Sequence, residues 1–231
     1  MSTWVEFWDQ APAIYVSERH LRLHAEALVR DFARVIPNAQ AVVLDHGCGE
    51  ALYADAVAAR CGRLILTDAA QGLRARLSER LRANSRVSVL APEDLSDLPA
   101  GSIDLIVANS LLQYLSRADL VGLLASWRRL LRPSGRLILA DVVPPHINAL
   151  SDGLMLLRFA WRGGFTMAAL RGLARTALSE YRRTRAELGF TKYSEAEMLS
   201  LLRQNGFSAR RVRPNFGHNQ ARMCFEASLR M

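Results

Sequence analysis

Residues 41–50 read AVVLDHGCGE and join a short apolar run to a glycine turn. The run at residues 41–44 is typical of a strand that is buried on both faces of a parallel sheet. Asp45 ends it, Gly-Cys-Gly follows at residues 47–49, and an alanine-rich helical pattern begins at about Ala51. Glycine lets the backbone turn sharply and approach a ligand, and a helix start offers unpaired N–H groups. The order of strand, glycine turn and helix therefore predicts a nucleotide-type binding site.

Acidic residues follow the next two predicted strands. Residues 63–67 (RLILT) precede Asp68, and residues 87–90 (VSVL) precede Glu93 and Asp94. A carboxylate at the end of the second strand is well placed to accept hydrogen bonds from both hydroxyls of a ribose. With these acids present, a nucleotide-type binding site explains the glycines better than an ordinary tight turn does.

A fourth predicted strand lies in LPAGSIDLIVANS, residues 98–110, and completes a set of motifs. The set resembles that of the class I S-adenosylmethionine-dependent methyltransferases, which carry an acid-x-G-x-G motif, an acid ending the second strand and an LP…(F/I)D motif at the fourth. The resemblance covers residues 40–145 closely and the C-terminal part more loosely. It implies an α/β fold with a Rossmann-like, seven-stranded, mostly parallel sheet, an antiparallel terminal hairpin, an N-terminal helical arm and a helical lid.

We expect a single methyltransferase domain over residues 1–231. Its expected parts are an N-terminal helical arm (1–40), a cofactor-binding core (41–143), a helical lid (144–190), and a last helix with a strand hairpin (191–231). Strands that alternate with helices in the core imply a parallel sheet with right-handed crossovers.

The resemblance implies that S-adenosylmethionine is the cofactor and that it lies along the carboxyl ends of the strands. The residues predicted to bind it are Asp45, Gly47, Cys48, Gly49, Asp68, Ala69, Glu93, Asp94, Asn109 and Tyr15. Tyr15 and His20 are the candidates from the arm, which in similar enzymes often covers the methionine end of the cofactor. His46 stands where the family usually has an apolar residue, and we interpret it either as a hydrogen-bonded turn histidine or as a group facing the methionine part.

Methyl transfer from a sulfonium mainly requires positioning, and a base is needed only for a hydroxyl or a protonated amine. Three side chains have suitable chemistry for a base, and each also has a structural explanation: His146, Tyr193 and His218. No metal site is predicted, because the three cysteines fit no zinc spacing. His20 and His24 lie one turn apart, but without a third ligand we interpret them as a solvated helix face.

The net charge of +8 lies entirely in residues 151–231, which hold 14 basic and 6 acidic residues. Apolar residues and arginines alternate at helical spacing in the predicted lid. The segment is predicted to form two helices divided at Gly163-Gly164. The arginines at this spacing are Arg158, Arg162, Arg171, Arg175 and Arg182. One interpretation is a pair of amphipathic helices with arginines in water. The other is a lid that meets an apolar acid in the pocket or an anionic membrane surface.

The sequence predicts methyl transfer to a small-molecule acceptor, apolar and acidic, in a cytoplasmic protein. Free cysteines indicate a reducing compartment, and residues 1–10 lack the pattern of a signal peptide. Alternatives are a nicotinamide-dependent oxidoreductase and a cofactor-binding regulatory or membrane-surface protein without catalysis. Nucleic acid is not favoured as a partner, since no N-P-P-Y/F motif follows the fourth strand, where residues 109–112 read NSLL.

Overall fold

A seven-stranded sheet forms the centre of the protein. In the computed structural model, which describes residues 4–10, 15–177 and 189–230, its strand order is β3-β2-β1-β4-β5-β7-β6. The strands are β1 (Val42–His46), β2 (Arg63–Thr67), β3 (Val87–Leu90), β4 (Ile103–Asn109), β5 (Leu131–Val142), β6 (Phe207–Val212) and β7 (Met223–Leu229). Strands β1 to β5 run parallel, and β7 is antiparallel to both β5 and β6. This confirms the predicted mostly parallel sheet with an antiparallel terminal hairpin.

Helices cover both faces of the sheet. They are α1 (Trp4–Asp9), α2 (Glu18–Val35), α3 (Ala54–Ala58), α4 (Gln71–Leu81), α5 (Arg117–Leu130), α6 (Ala149–Gly163), α7 (Thr166–Ala177) and α8 (Glu195–Gln204), with short 3₁₀ turns at Glu93–Asp97 and Leu112–Tyr114. The helix expected from Ala51 begins three residues later, because Gly49 and Ala51 adopt positive φ angles of 54° and 39° within the turn. A left-handed residue cannot continue a right-handed helix.

Alternate residues of each central strand pack into two separate hydrophobic cores, one on each face of the sheet. In β1, Val43 packs with the core beneath α2, α3 and α4, and Leu44 packs with the core beneath α5 and α8. In β4, Val107 and Ile106 divide in the same way. This is the period-2 pattern of a strand buried on both faces, and it explains why the strands appear in the sequence as continuous apolar runs.

The predicted lid begins with two helices, α6 and α7, called the lid helices below. Asn148 and Ser151 form a capping box at the start of α6, and Gly164 ends this helix in the left-handed conformation (φ 70°). The expected division at residues 163–164 is therefore confirmed. Phe165 packs with side chains of both lid helices and of α2, and Arg19 donates to the Gly163 carbonyl. Residues 178–188, which include Arg182, lie outside the described parts of the chain.

Helix α1 of the arm contributes to an aromatic cluster. Trp4 lies 4.7 Å from Tyr114 and 5.5 Å from Phe190, measured between ring centroids, and Trp8 lies 5.7 Å from Tyr114. Aromatic pairs at these distances add to the stability gained from burial. The arm is therefore packed beside the carboxyl end of β4. Over the described ranges, no helix is both long and apolar enough to cross a membrane.

The packing of α7 on the arm depends on the absence of a side chain at Gly172, where a Cβ would overlap Val16. A Cβ at Gly153 in α6 would only reach 3.7 Å from Leu173, an ordinary contact. Both glycines are helical, so either change to alanine gains about 1 kcal/mol in helix propensity. We expect Gly172→Ala to speed amide hydrogen exchange in its own helix, α7, despite that gain. Gly153→Ala should slow exchange in its own helix, α6. Equal exchange in the two variants would contradict the packing described.

Candidate functional site

The glycine turn after β1 is held by hydrogen bonds to the end of β2. The N–H groups of Gly47 and Cys48 both donate to the Thr67 carbonyl, at 2.8 and 3.1 Å. The N–H group of Gly49 donates to Asp68 Oδ2 at 3.1 Å. These three N–H groups of the turn are therefore not available to a ligand, and the unpaired N–H groups expected at the helix start stay a prediction for α3. Three successive donors are used inside the protein, and α3 begins only at Ala54.

The two glycines of the turn have different surroundings. Gly47 has φ 75°, and a Cβ there would lie 2.8 Å from Leu111 Cδ1. Gly49 has φ 54°, and a Cβ there would meet no atom within 4 Å. Gly47 is thus required by packing inside the protein, whereas Gly49 faces open space where a ligand can approach the backbone.

That open space is part of a cavity of about 1470 Å³, which extends from the glycine turn to the lid helices. Seven of the predicted cofactor-binding residues line it. They are Tyr15, Gly47, Cys48, Gly49, Asp68, Ala69 and Asn109. The Asn109 side-chain oxygen is buried and accepts no hydrogen bond from the described residues. A buried acceptor without a donor is costly, so a donor on a bound molecule would be favourable here.

The other three predicted residues do not line the cavity. Asp94 accepts a hydrogen bond from the N–H of Ala91 in its own turn, and both Glu93 and Asp94 are exposed. Asp45 lies buried beneath the glycine turn, where Tyr53 Oη donates to Asp45 Oδ2 at 2.6 Å. From its place at the end of β1, Asp45 could either order the turn or accept a hydrogen bond from a ligand ammonium, and this geometry fits the ordering of the turn.

Burial raises the pKa of both acids beside the turn. The pKa of Asp45 rises to about 7 because the carboxyl is desolvated, with a further increase from the charge of Asp68 and an opposing effect from the Tyr53 hydrogen bond. The pKa of Asp68 is also raised by burial, and the hydrogen bonds from Ala70 and Gly49 oppose this. Of these two acids, only Asp68 lines the cavity.

His46, at the end of β1, is a buried histidine with a hydrogen bond. Trp127 Nε1 donates to His46 Nδ1 at 3.2 Å, and burial lowers the pKa of His46 to about 4. The His46 ring is neutral at pH 7 and accepts a hydrogen bond from the indole N–H group of Trp127. This fits the interpretation of a hydrogen-bonded histidine. Because His46 also lines the cavity, its other interpretation, as a group facing the methionine part of the cofactor, stays a prediction.

Three other histidines meet between α2, the β6–β7 loop and the lid helices. Ring centroids of His20, His24 and His218 lie 6.2 to 6.5 Å apart, and all three line the cavity. His20 stacks on Phe165 at 5.2 Å, and His218 stacks on Phe159 at 4.6 Å. The interpretation of His20 and His24 as a solvated helix face is therefore wrong, because the lid and the loop cover that face of α2.

Burial lowers the pKa of each of these three rings to about 4, and the neighbouring histidines lower it further. At pH 7 the cluster is neutral and can accept protons. Within the described parts of the chain, no group of three His, Cys, Asp or Glu side chains is arranged to hold a metal ion.

An ion cluster that the sequence did not predict lies beside the histidines. Arg222 Nη1 donates to Asp141 Oδ2 at 2.6 Å, and Arg222 Nη2 lies 3.2 Å from both carboxylate oxygens of Asp152. Ser110 also donates to Asp141 at 2.7 Å, and Gln113 Oε1 accepts from Arg222 at 3.1 Å. The positive φ angles of Ser110 (56°) and Asp141 (62°) bring the strand ends of β4 and β5 into this cluster. All five side chains line the cavity.

The three candidate bases are far from equivalent. His218 lines the cavity, whereas His146 is exposed and does not. Tyr193 is fully buried beneath the sheet, where Arg117 lies 5.7 Å from its ring, and it does not line the cavity either. Only His218 can therefore contact a molecule bound in the cavity.

Comparison with known proteins identifies the domain that contains this site. Residues 44–139 match the family described as "Methyltransferase domain". The chain carries a class I S-adenosylmethionine-dependent methyltransferase domain. The matched segment includes the glycine turn, Asp68 and Asn109. No curated protein sequence matches the chain.

Solved structures share the fold of this methyltransferase. PigF, solved with SAH (S-adenosylhomocysteine), is 19% identical with a TM-score of 0.63, and the match covers 98% of this chain and 62% of PigF. A putative methyltransferase from Haloferax volcanii, in complex with the Trm112 activator, is 12% identical with a TM-score of 0.62 and full coverage of both chains. A SAM-dependent methyltransferase from Aquifex aeolicus is 16% identical with a TM-score of 0.58, covering 99% and 98%.

The cavity of the methyltransferase fits S-adenosylmethionine, its cofactor, better than a dinucleotide. A pyrophosphate needs free N–H donors at the turn, and Gly47, Cys48 and Gly49 have donated theirs to Thr67 and Asp68. S-adenosylmethionine carries no phosphate and requires none of these donors. Together with the family match, this favours the methyltransferase over the nicotinamide-dependent oxidoreductase.

The neutral histidine cluster predicts how stability depends on pH. A histidine with its pKa lowered from 6.5 to about 4 stabilises the fold fully above pH 6.5, and this contribution is lost as the pH falls toward 4. Each such histidine adds up to about 1.4 kcal/mol per pH unit to the slope. We expect His24→Gln to reduce the fall in the free energy of unfolding between pH 6.5 and 4, measured by urea denaturation.

The exposed His146 provides the control, since His146→Gln should leave the slope unchanged. The comparison with wild type is needed because Asp45, with a pKa raised to about 7, acts in the opposite direction: its contribution is present at low pH and is lost as the pH rises. Identical slopes for wild type and His24→Gln would show that His24 is not buried as a neutral ring.

Proposed function

We propose that this methyltransferase transfers a methyl group to a large, mainly apolar small molecule that carries an acidic group. The observation that carries the proposal is one continuous cavity of about 1470 Å³, which joins the glycine turn to the lid helices. Sites for one small molecule usually measure about 300–1,000 Å³. The cavity therefore has room for a cofactor at one end and a sizeable acceptor at the other.

The cofactor end is formed by the ends of β1, β2 and β4. In this proposal, Asp68 accepts hydrogen bonds from the ribose hydroxyls, and Gly49 leaves room for the ligand beside the turn. Asn109 supplies its buried side-chain oxygen as a further acceptor, and Tyr15 covers the methionine part. Burial raises the pKa of Tyr15 to about 12, so its hydroxyl stays protonated at pH 7.

The acceptor end of the cavity combines apolar walls with the positive charge of two arginines. Side chains of the arm and of α6, such as Trp8 and Leu156, supply apolar surface. Arg171 and Arg175 line the cavity from α7, both are exposed, and the described residues give neither of them an acidic partner. A guanidinium presents a planar fork of donors that suits a carboxylate. These two arginines support an acidic group on the acceptor near the lid.

When bound, S-adenosylmethionine supplies a methyl group that its sulfonium sulfur has already activated. The protein's tasks are to hold the acceptor against it and to keep water out. The arm and the lid helices enclose the cavity, and the histidines supply a neutral proton acceptor. We assign that acceptor to His218, because it is the only candidate base that lines the cavity.

The charges of the lid also support a second proposal, that the protein makes peripheral contact with an anionic membrane surface. Arginines on the outer side of the lid helices would meet the lipid headgroups. This contact would give an apolar acceptor a route into the cavity.

The Asp68 proposal is tested by binding alone, without knowledge of the acceptor. Charge-assisted hydrogen bonds are worth about 1.5–3 kcal/mol, so Asp68→Ala should weaken S-adenosylhomocysteine binding roughly ten- to a hundredfold in calorimetry. Asp97→Ala removes an exposed acid outside the cavity and should bind normally. Unchanged affinity in a folded Asp68→Ala protein would remove Asp68 from the site.

The acceptor proposal is tested by screening aromatic and aliphatic carboxylic acids beside their neutral esters, with S-adenosylhomocysteine release as the readout. We expect turnover of acids, and a KM for the acid that rises in the double variant Arg171→Gln/Arg175→Gln while kcat holds. Turnover restricted to small, neutral, polar molecules would contradict the acidic acceptor.

In the same assay His218→Gln should lower kcat by about 10²–10⁴ for a hydroxyl acceptor, with S-adenosylhomocysteine affinity retained. Normal kcat would remove His218 from catalysis.

A further inference from the structure

The outer side of the lid helices exposes large apolar side chains. Of the eight large hydrophobic residues that are exposed in the described parts of the chain, five lie on α6 and α7. These are Leu150 (79% exposed), Leu154 (62%), Trp161 (79%), Met167 (64%) and Leu170 (47%). Single exposed apolar residues are normal on a protein surface, but a concentration of them on one element marks an interaction site.

Their spacing places them on one side of each helix. Leu150, Leu154, Arg158 and Trp161 follow one another at intervals of three or four residues along α6, so they form one stripe. The opposite side of the same helix is already packed, since Ala160 is buried against Phe165 and Ala169. The exposed stripe is therefore not the side that covers the cavity. We call this stripe, together with Met167 and Leu170 of α7, the outer lid face.

The charge on the outer lid face has a single sign. Arg158 and Arg162 are exposed on α6, and Arg171 and Arg175 are exposed on α7, where they also line the cavity. None of these arginines has an acidic partner among the described residues. The only acid in the lid helices is Asp152, which turns inward and contacts Arg222. Among arginines elsewhere, Arg82 and Arg211 pair with Glu79 and Glu195, whereas Arg60 and Arg63 have no acidic partner among the described residues. The lid helices differ in that their exposed side carries no acid at all.

A face that combines exposed tryptophan and leucine with uncompensated arginines suits the boundary of an anionic bilayer. Apolar side chains enter the acyl boundary, arginines reach the headgroups, and tryptophan is enriched at this depth. If the outer lid face only ever contacted water, the exposed side chains of Leu150, Leu154 and Trp161 would add no stability to the protein. Two copies of this chain would not pair through the outer lid face, because both faces would carry arginines and no exposed acid.

We propose that the outer lid face docks on an anionic lipid bilayer, and that docking presents the mouth of the cavity to the membrane. Arg171 and Arg175 lie both on the lid and in the cavity lining, so the bound membrane and the cavity meet at α7. The entry of an acceptor by this route rests on the function proposed above, whereas the docking itself does not. An anionic bilayer would then both concentrate the enzyme and supply an apolar acid.

The test is flotation of the full-length protein with vesicles of phosphatidylcholine, with and without added phosphatidylglycerol. We expect binding to the anionic vesicles, a decrease as salt rises, and little binding to the neutral ones. Each arginine near an anionic surface contributes roughly fivefold in affinity. Arg158→Gln/Arg162→Gln should therefore weaken binding roughly twenty- to thirtyfold, and Leu154→Ser/Trp161→Ser should weaken it at every salt concentration.

Two control variants lie far from the lid. Arg82→Gln removes an exposed arginine that follows α4 directly, and Val121→Ser removes an exposed apolar side chain of α5. Both variants should float like wild type. Failure of wild type to bind anionic vesicles would overturn the proposal, as would equal binding by the lid and control variants. A concentration-dependent dimer that Trp161→Ser converts to monomer, without vesicle binding, would show a protein interface instead.

The outcome for docking can be separated from the outcome for the enzyme by calorimetry with S-adenosylhomocysteine on the same preparations. Arg158, Arg162 and Trp161 do not line the cavity, so the lid variants should bind this ligand like wild type. Normal ligand binding without flotation would overturn the docking proposal alone. Flotation without ligand binding would support docking and count against the proposed function.

Discussion

The organisation of the site depends on the hydrogen bonds between the glycine turn and the end of β2. The Thr67 carbonyl accepts from Gly47 and Cys48, and Asp68 accepts from Gly49. These bonds fix the turn against the neighbouring strand and leave Gly49 open to the cavity. They also consume the N–H groups that a phosphate would require. One set of backbone bonds thus both builds the site and selects a cofactor without phosphate.

In the rest of the cavity, the buried ionisable side chains are either neutral or paired with groups of opposite charge. Histidines from α2 and the β6–β7 loop meet as neutral rings because burial lowers their pKa to about 4. Arg222 instead stays charged, and it is compensated by Asp141 and Asp152 with a further acceptor in Gln113. Removing one member of such a cluster leaves a buried charge uncompensated. The cluster also joins β5, β7 and α6, so it couples the lid to the sheet.

The sequence predicted the features that are local or periodic. Apolar runs identified the strands, and Gly163-Gly164 divided the lid helices, because each depends on neighbouring residues alone. The meeting of His20 with His218 could not be predicted, since it requires the loop before β7 to fold over α2. Arg222 looked like an ordinary strand residue for the same reason. The use of the N–H groups of Gly47 and Cys48 could not be predicted, because their acceptor, the Thr67 carbonyl, is a backbone atom that leaves no signature in the sequence.

The central claim is that the cavity beside the glycine turn binds a sulfonium nucleoside and rejects a dinucleotide. Calorimetric titration of the purified protein with S-adenosylhomocysteine and, separately, with NADH tests it most directly. The account predicts binding of S-adenosylhomocysteine in the micromolar range or tighter and no heat of binding from NADH. Binding of NADH with no response to S-adenosylhomocysteine would contradict it.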